Sequence, residues 1–189
     1  MEFITLENKD SVSLVKDVLL YPLKVNKDDS GILIETLRTD WEEIYGKGRE
    51  FVMQYFSVTK SGIARDEKVW HYHPAVQEDR FLLAQGAIIT AVADNREGSP
   101  TFGLLNLFHM EAYKDPYILL IPKGVLHGFL VVSFDPAILL NYPTALYNPN
   151  EEKRISYGEA QVKLPDGSLF SWDQVRSEFG SNTSSNEKS

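Results

Sequence analysis

Short apolar or alternating runs, broken by Gly, Pro, Asn and Asp, dominate the chain. GILIETL (31–37), FVMQYFSV (51–58), DRFLLAQGAIITAVAD (79–94), YILLIP (117–122), GFLVVSF (128–134) and AILLNY (137–142) are the candidate strands. They are rich in Val, Ile, Phe and Tyr, whose branched or aromatic side chains suit a pleated, half-buried surface. Gln85-Gly86, in the middle of the longest run, reads as a hairpin turn. Runs this closely spaced, with few helical stretches between them, predict an all-β sandwich or barrel rather than alternating βαβ units.

Helical patterns are few. Thr39-Asp40-Trp41-Glu42 has the Ser/Thr-x-x-Glu form of a capping box and predicts a short helix through Tyr45, ended by Gly46. SWDQVRSEF (171–179) repeats the pattern, with Ser171 as N-cap and Gly180 as the stop. The following SNTSSNEKS (181–189) has no apolar residue to bury and predicts a disordered polar tail. Without internal repeats or a linker, residues 1–180 read as one domain.

Composition narrows the function classes. At 189 residues the chain is long enough to bury a core without staples. A formal net charge of -8 argues against the broad positive surface that nucleic acid or an anionic membrane would need. It leaves room for a few Arg or Lys gripping one phosphorylated ligand. The absence of Cys removes disulfides, thiolate metal sites and Cys nucleophiles. The N-terminus mixes charges into its apolar positions, unlike a signal peptide, and no stretch approaches the roughly 18 apolar residues of a membrane span. A cytoplasmic protein is the expectation.

Two of the four histidines sit in KVWHYHPAVQEDR (68–80). On a strand, His71 and His73 share a face and Tyr72 takes the other. Two imidazoles on one face serve either as metal ligands, with Glu78 or Asp79 returning after a turn at Pro74, or as a catalytic base and its neighbour. Further on, IPKGVLHGF (121–129) has Pro122 and Gly124 shaping a turn, and His127 three residues past that glycine.

The HxH with a trailing acid and the PxGxxH element resemble the two halves of the cupin signature. That resemblance implies an all-β jelly roll with His71, His73 and His127 facing into the barrel. DNREGSPTFG (94–103), IPKGVLHGF and YNPNEEKRISY (147–157), with DDSGILIETLR (28–38) and GIAR (62–65), further resemble the dTDP-4-dehydrorhamnose 3,5-epimerase family, in order over about residues 28 to 160. The narrower resemblance implies a homodimer that takes a nucleotide-linked 4-keto sugar, without a cofactor. Its chemistry is proton abstraction beside a ketone and reprotonation from the other face. That calls for a base, an enolate stabiliser and an acid.

Carried over by motif, Trp70-His71-Tyr72-His73 makes His71 the base, with Glu159 standing near the supporting acid's place. Arg65 in GIAR matches the arginine that grips the phosphates. The family's lysine falls on Asp79, with Arg80 beside it as a substitute cation. The family's tyrosine falls on Asn141, with Tyr142 one position later as the candidate acid. Tyr147, His127 and Trp70 complete the substrate-binding candidates. The competing expectation is a metal-dependent cupin with ligands His71, His73, Glu78 or Asp79, and His127. Imidazole and carboxylate ligands suit Zn, Mn, Fe or Ni. A non-catalytic sugar-binding cupin is the third reading.

Overall fold

The computed structural model describes residues 1–186. The strands are, in chain order, Leu19–Pro22 (β1), Val25–Asp28 (β2), Gly31–Ile34 (β3), Tyr55–Thr59 (β4), Ala64–Arg65 (β5), Val69–Tyr72 (β6), Asp79–Gln85 (β7), Ala87–Ala93 (β8), Leu105–Glu111 (β9), Tyr117–Ile121 (β10), Leu126–Val131 (β11), Ala137–Asn141 (β12) and Lys153–Ser156 (β13). One sheet has the order β1-β10-β7-β12-β4. The other runs β13-β6-β11-β8-β9, with β5 added to β11, and β2 and β3 form a separate hairpin. The sheet pairings are antiparallel, as expected of a jelly roll closed from neighbouring hairpins.

Strand alternation sorts the side chains into three apolar layers. Between the sheets lie Phe81, Leu83, Ile88, Val92, Phe108, Leu119, Phe129 and Leu139. Behind the second sheet, Trp70, Ile89, Ala91 and Leu130 pack under Phe170, Trp172 and Val175 of the C-terminal segment. Behind the first sheet, Leu82, Ile118, Leu120 and Tyr142 pack under Ile44 and Tyr45. The barrel interior is therefore apolar at one end, and its polar inward positions gather at the other.

The turn expected at Gln85-Gly86 is not a hairpin. The strands it joins, β7 and β8, belong to different sheets, and Gly86 turns the chain between them at φ +83. A Cβ there would lie 2.6 Å from Ser133 Oγ and 3.1 Å from Ala137 Cα, so both the dihedral and the space select glycine. The helix Glu42–Tyr45 (α1) ends at Gly46 as expected, but Trp41 is its N-cap and no side chain caps it, so the Thr39 capping box does not form. A real capping box opens Tyr157–Ala160 (α2), where Ser156 and Glu159 satisfy each other's backbone N–H groups. The last helix, Trp172–Asn186 (α3), begins after Ser171, whose hydroxyl accepts from the Asp173 N–H at 3.2 Å. It continues through Gly180 rather than stopping there. The described part of the expected tail is thus helical, and residues 187–189 lie outside the described residues.

Candidate active site

The polar end of the barrel is assembled from both sheets. On the second sheet, His71 of β6 stands directly opposite His127 of β11 in register. His73 follows just past β6, so the two histidines of the HxH face inward together. Their ring centroids are 4.7 Å apart, and those of His71 and His127 are 5.1 Å apart. From the first sheet, Asp79 at the start of β7 sends a buried carboxylate between the rings. Its Oδ2 lies 3.2 Å from His127 Nε2 and 3.4 Å from His73 Nε2. Its Oδ1 accepts from Gln77 Nε2 and from Asn141 Nδ2, both at 2.7 Å.

These contacts set the electrostatics. Burial opposes ionisation of Asp79, yet the hydrogen bonds and charges of His127 and His73 hold its carboxyl well below the usual range. Burial also opposes a charge on His73, but the Asp79 carboxylate and the Glu151 carbonyl raise its proton affinity overall. His71 has no such support. Burial first, then the neighbouring His127 and His73, pulls it down to about 3, so it is neutral at physiological pH.

Hydrogen-bond roles fix the tautomers. His73 Nδ1 faces the Glu151 carbonyl at 3.2 Å, and a carbonyl only accepts, so that nitrogen carries the proton. Gln77 Nε2 donates to the Asp79 carboxylate and sits 3.0 Å from His73 Nε2, so that nitrogen accepts in neutral His73, whereas in the protonated ring it donates to Asp79 Oδ2. His71 Nε2, 3.0 Å from the same atom, is then a donor. His71 Nδ1 is left with a free lone pair and, though buried, has no hydrogen-bond partner.

Two adjoining clefts open here. His71 and Tyr55 line both. The first cleft also takes in Arg65, Asp66, Phe129 and Arg154, and the second Met53, Gln77, Tyr147 and Asn148. Arg65 Nε donates to Thr59 Oγ1 at 3.0 Å, and Arg154 pairs with Asp66 at 3.1 Å and Glu152 at 2.7 Å.

Of the candidates read from sequence, His71, His73, Asp79, His127, Arg65 and Tyr147 converge on these clefts. The rest do not. Trp70 alternates outward from His71 and is buried under Phe170 at a centroid distance of 4.4 Å, where no base or sugar stacks on it. Glu78 points away from the histidines and forms a forked pair with Arg49, at 2.7 and 3.2 Å, so it is no metal ligand. Arg80 is fully buried behind the first sheet and donates to the carbonyls of Ile44, Arg49, Tyr142 and Pro143. It braces the α1 segment rather than meeting a substrate. Tyr142 alternates to that same outer layer, its hydroxyl 3.0 Å from Thr36 Oγ1. Glu159 is exposed and spends its carboxylate on the cap of α2. The acid among the histidines is Asp79 instead.

Sequence reasoning passed over Gln77, Asn141, Tyr55 and Arg154 as site residues. Gln77 was findable, since it shares the inward face of Asp79 two positions away. Arg154 lies opposite His71 in the β13–β6 register, and Tyr55 opposite Asn141 in the β4–β12 register. Only the pairing brings these together.

Comparison with known proteins agrees with this fold. The family model for dTDP-4-dehydrorhamnose 3,5-epimerase matches residues 13–179. The probable low-salt glycan biosynthesis epimerase Agl13 of Haloferax volcanii is 39% identical over 146 residues, covering 76% of this chain and 88% of that protein. The spore coat polysaccharide biosynthesis protein SpsL of Bacillus subtilis is 30% identical over 151 residues, covering 79% and 94%. The crystal structure of an epimerase from Legionella pneumophila in complex with dTDP-4-keto-L-rhamnose superposes with a TM-score of 0.66 at 26% identity, over 78% of this chain and 82% of that one. With a family model spanning most of its length and relatives matched nearly end to end, the chain belongs to the dTDP-4-dehydrorhamnose 3,5-epimerase family.

Proposed function

We propose that this protein epimerises a dTDP-linked 4-keto-6-deoxyhexose, with His71 as the base that removes the proton beside the ketone. The observation that carries the assignment is His71, a neutral imidazole that lines a cleft shared with Arg65 and Arg154 and whose Nδ1 has no hydrogen-bond partner. When Nδ1 takes a proton, the Nε2 proton can pass to His73, whose proton affinity Asp79 has raised. A base that is weak in isolation thus gains a sink for the positive charge. Arg65 and Arg154 supply cationic groups for the diphosphate, and Tyr147 an apolar face on the second cleft for sugar or base. The test is solvent exchange. Incubated in D2O with dTDP-4-keto-6-deoxyglucose, the protein should place deuterium on a carbon next to the ketone, and absence of exchange with any 4-keto sugar nucleotide contradicts the assignment.

A second reading rests on one specific observation: ligand atoms of His71, His73 and His127 lie within 4.8 Å of one another, with the Asp79 carboxylate alongside. That donor set fits a divalent first-row ion. Stoichiometric metal in protein purified without chelator, with activity lost on its removal, would favour this reading. The epimerase reading expects full turnover after chelation.

The association we propose is a homodimer. Phe56 and Val58 point outward from β4, an open sheet edge, and the β2–β3 hairpin exposes Ile32 and Leu33, so a second copy would cover both an edge and an apolar surface. Residues 1–180 are read as one domain, and a nucleotide-linked substrate suits a cytoplasmic place of action. Among the described residues no helix is long and apolar enough to cross a membrane.

A further inference from the structure

Inversion at carbon needs a proton taken from one face of the enolate and another delivered to the opposite face. The structure supplies the first from the second sheet, where His71 sits. The position at which the family keeps a tyrosine holds Asn141, and Tyr142 lies behind the sheet with its hydroxyl on Thr36. A phenol nevertheless reaches the cleft from the first sheet. Tyr55, at the start of β4, pairs directly with Asn141 of β12 and faces the space that His71 faces from the opposite wall.

Its hydrogen bonding leaves the proton available. Asn141 Oδ1 accepts from the Arg80 backbone N–H at 3.0 Å, which fixes the amide orientation and makes Nδ2 the atom facing Asp79 and Tyr55. Nδ2 donates to Tyr55 Oη at 2.8 Å, so the phenol oxygen accepts there. The phenol's own hydrogen has no acceptor among the described residues and is free to point into the cleft. Burial and the Asp79 charge push Tyr55 up to about 12, against the opposing Asn141 hydrogen bond, so the phenol is protonated at neutral pH. The residue is 45% exposed, which gives water a route to restore its proton after use.

We propose that Tyr55 is the catalytic acid of this site, delivering its phenol proton to the enolate carbon on the face opposite His71. This rests on the epimerase reading above. The step balances without a co-reactant. His71 Nδ1 takes the proton from the carbon beside the ketone, and the C–H electron pair passes into the enolate. The enolate collapses, its carbon takes the Tyr55 hydroxyl proton, and a new C–H bond forms on the other face. The phenolate is held by the Asn141 N–H until water reprotonates it, and the imidazolium returns its proton to water.

The experiment compares wild type, Tyr55→Phe and Tyr147→Phe in D2O with dTDP-4-keto-6-deoxyglucose, reading deuterium uptake by mass spectrometry and configuration by NMR. Circular dichroism and thermal melting check that Tyr55→Phe keeps the fold, since it removes one oxygen from a half-exposed ring. The expected result is that Tyr55→Phe loses inversion by about 10²-fold or more while deuterium uptake stays within a few-fold of wild type. Tyr147→Phe should keep inversion near wild type. Inversion by Tyr55→Phe at the wild-type rate overturns the assignment, as does a folded Tyr55→Phe that loses exchange and inversion together, or a Tyr147→Phe that shows the exchange-without-inversion pattern instead. Wild-type protein that exchanges no deuterium overturns the epimerase reading itself and Tyr55's role with it.

Discussion

His71, His73 and His127 are chemically identical side chains that their surroundings make different. His73 and His127 each face Asp79, while His71 contacts only another imidazole through Nε2 and keeps Nδ1 unpaired. Replacing His71 by Asn should cost roughly 10²–10⁴-fold in turnover, measured at saturating substrate, with little change in melting temperature. Arg80 is the opposite case, a charged residue whose work is structural. Arg80→Met leaves four buried carbonyls without their donor and should lower stability by about 2–4 kcal/mol, seen as a fall in the urea midpoint. Its KM, corrected for folded fraction, should stay near wild type, and a rise in KM of tenfold or more would return Arg80 to the substrate. The two outcomes follow from strand alternation. Asp79 faces the barrel interior and Arg80 cannot, just as His71 faces in and Trp70 cannot. A residue one position from a matching motif position therefore makes a poor substitute, which is why Arg80 and Tyr142 failed as replacements for a lysine and a tyrosine.

Among the elements, the loop 94–103 shows how a sequence signature works physically. Asp94 is buried where β8 ends, and its carboxylate accepts from Arg96 at 2.9 Å and from the hydroxyls of Ser99 and Thr101 at 2.5 and 2.6 Å. Burial resists the charge, but Arg96, Ser99 and Thr101 together hold the group below the ordinary carboxylate range. The folded-state pKa is depressed, so this contribution is present above the unfolded value of about 3.9 and is lost as pH falls further. Asp94→Ala should remove about 1–3 kcal/mol at neutral pH, and the difference between variant and wild type in chemical denaturation should shrink below pH 4. A difference that stays constant to low pH would contradict the ionised role. The C-terminal segment is held more simply, through burial. Trp172 lies in the layer behind the second sheet, and Trp172→Ala should cost roughly 3–5 kcal/mol in the same assay.

Much of this level was readable from the chain. The runs at 79–94 and 117–122 are continuous and apolar because their strands are buried over most or all of their length, and the run at 137–142 forms a strand that alternates between buried and half-buried positions. Gly86 was readable as a turn but not as a turn between sheets, because local sequence does not say which partners the flanking strands will take. For the same reason Tyr55 stayed hidden, since its link to Asn141 exists only through the β4–β12 register. Gly180 stands inside α3, whose preceding residues Trp172 and Val175 are buried against the second sheet. Packing there outweighs the roughly 1 kcal/mol that a glycine costs a helix.

At the scale of the whole molecule, His71 from one sheet and an Asp-Asn-Tyr chain from the other meet across a cleft with cationic groups at its edge. The histidine pair and the PxGxxH element meet at this centre, and the acid that lies among them is Asp79 of β7, while Glu159 lies exposed on α2. The role proposed for His71 is removal of a proton next to a ketone of a nucleotide-linked sugar. Deuterium uptake into dTDP-4-keto-6-deoxyglucose, followed by mass spectrometry after chelator treatment, tests it most directly. The wild-type protein should incorporate at least one deuterium per sugar, and His71→Asn should do so at a rate lower by about 10²-fold or more. Equal uptake by the two proteins, or uptake that appears only when a divalent metal is restored, would contradict it.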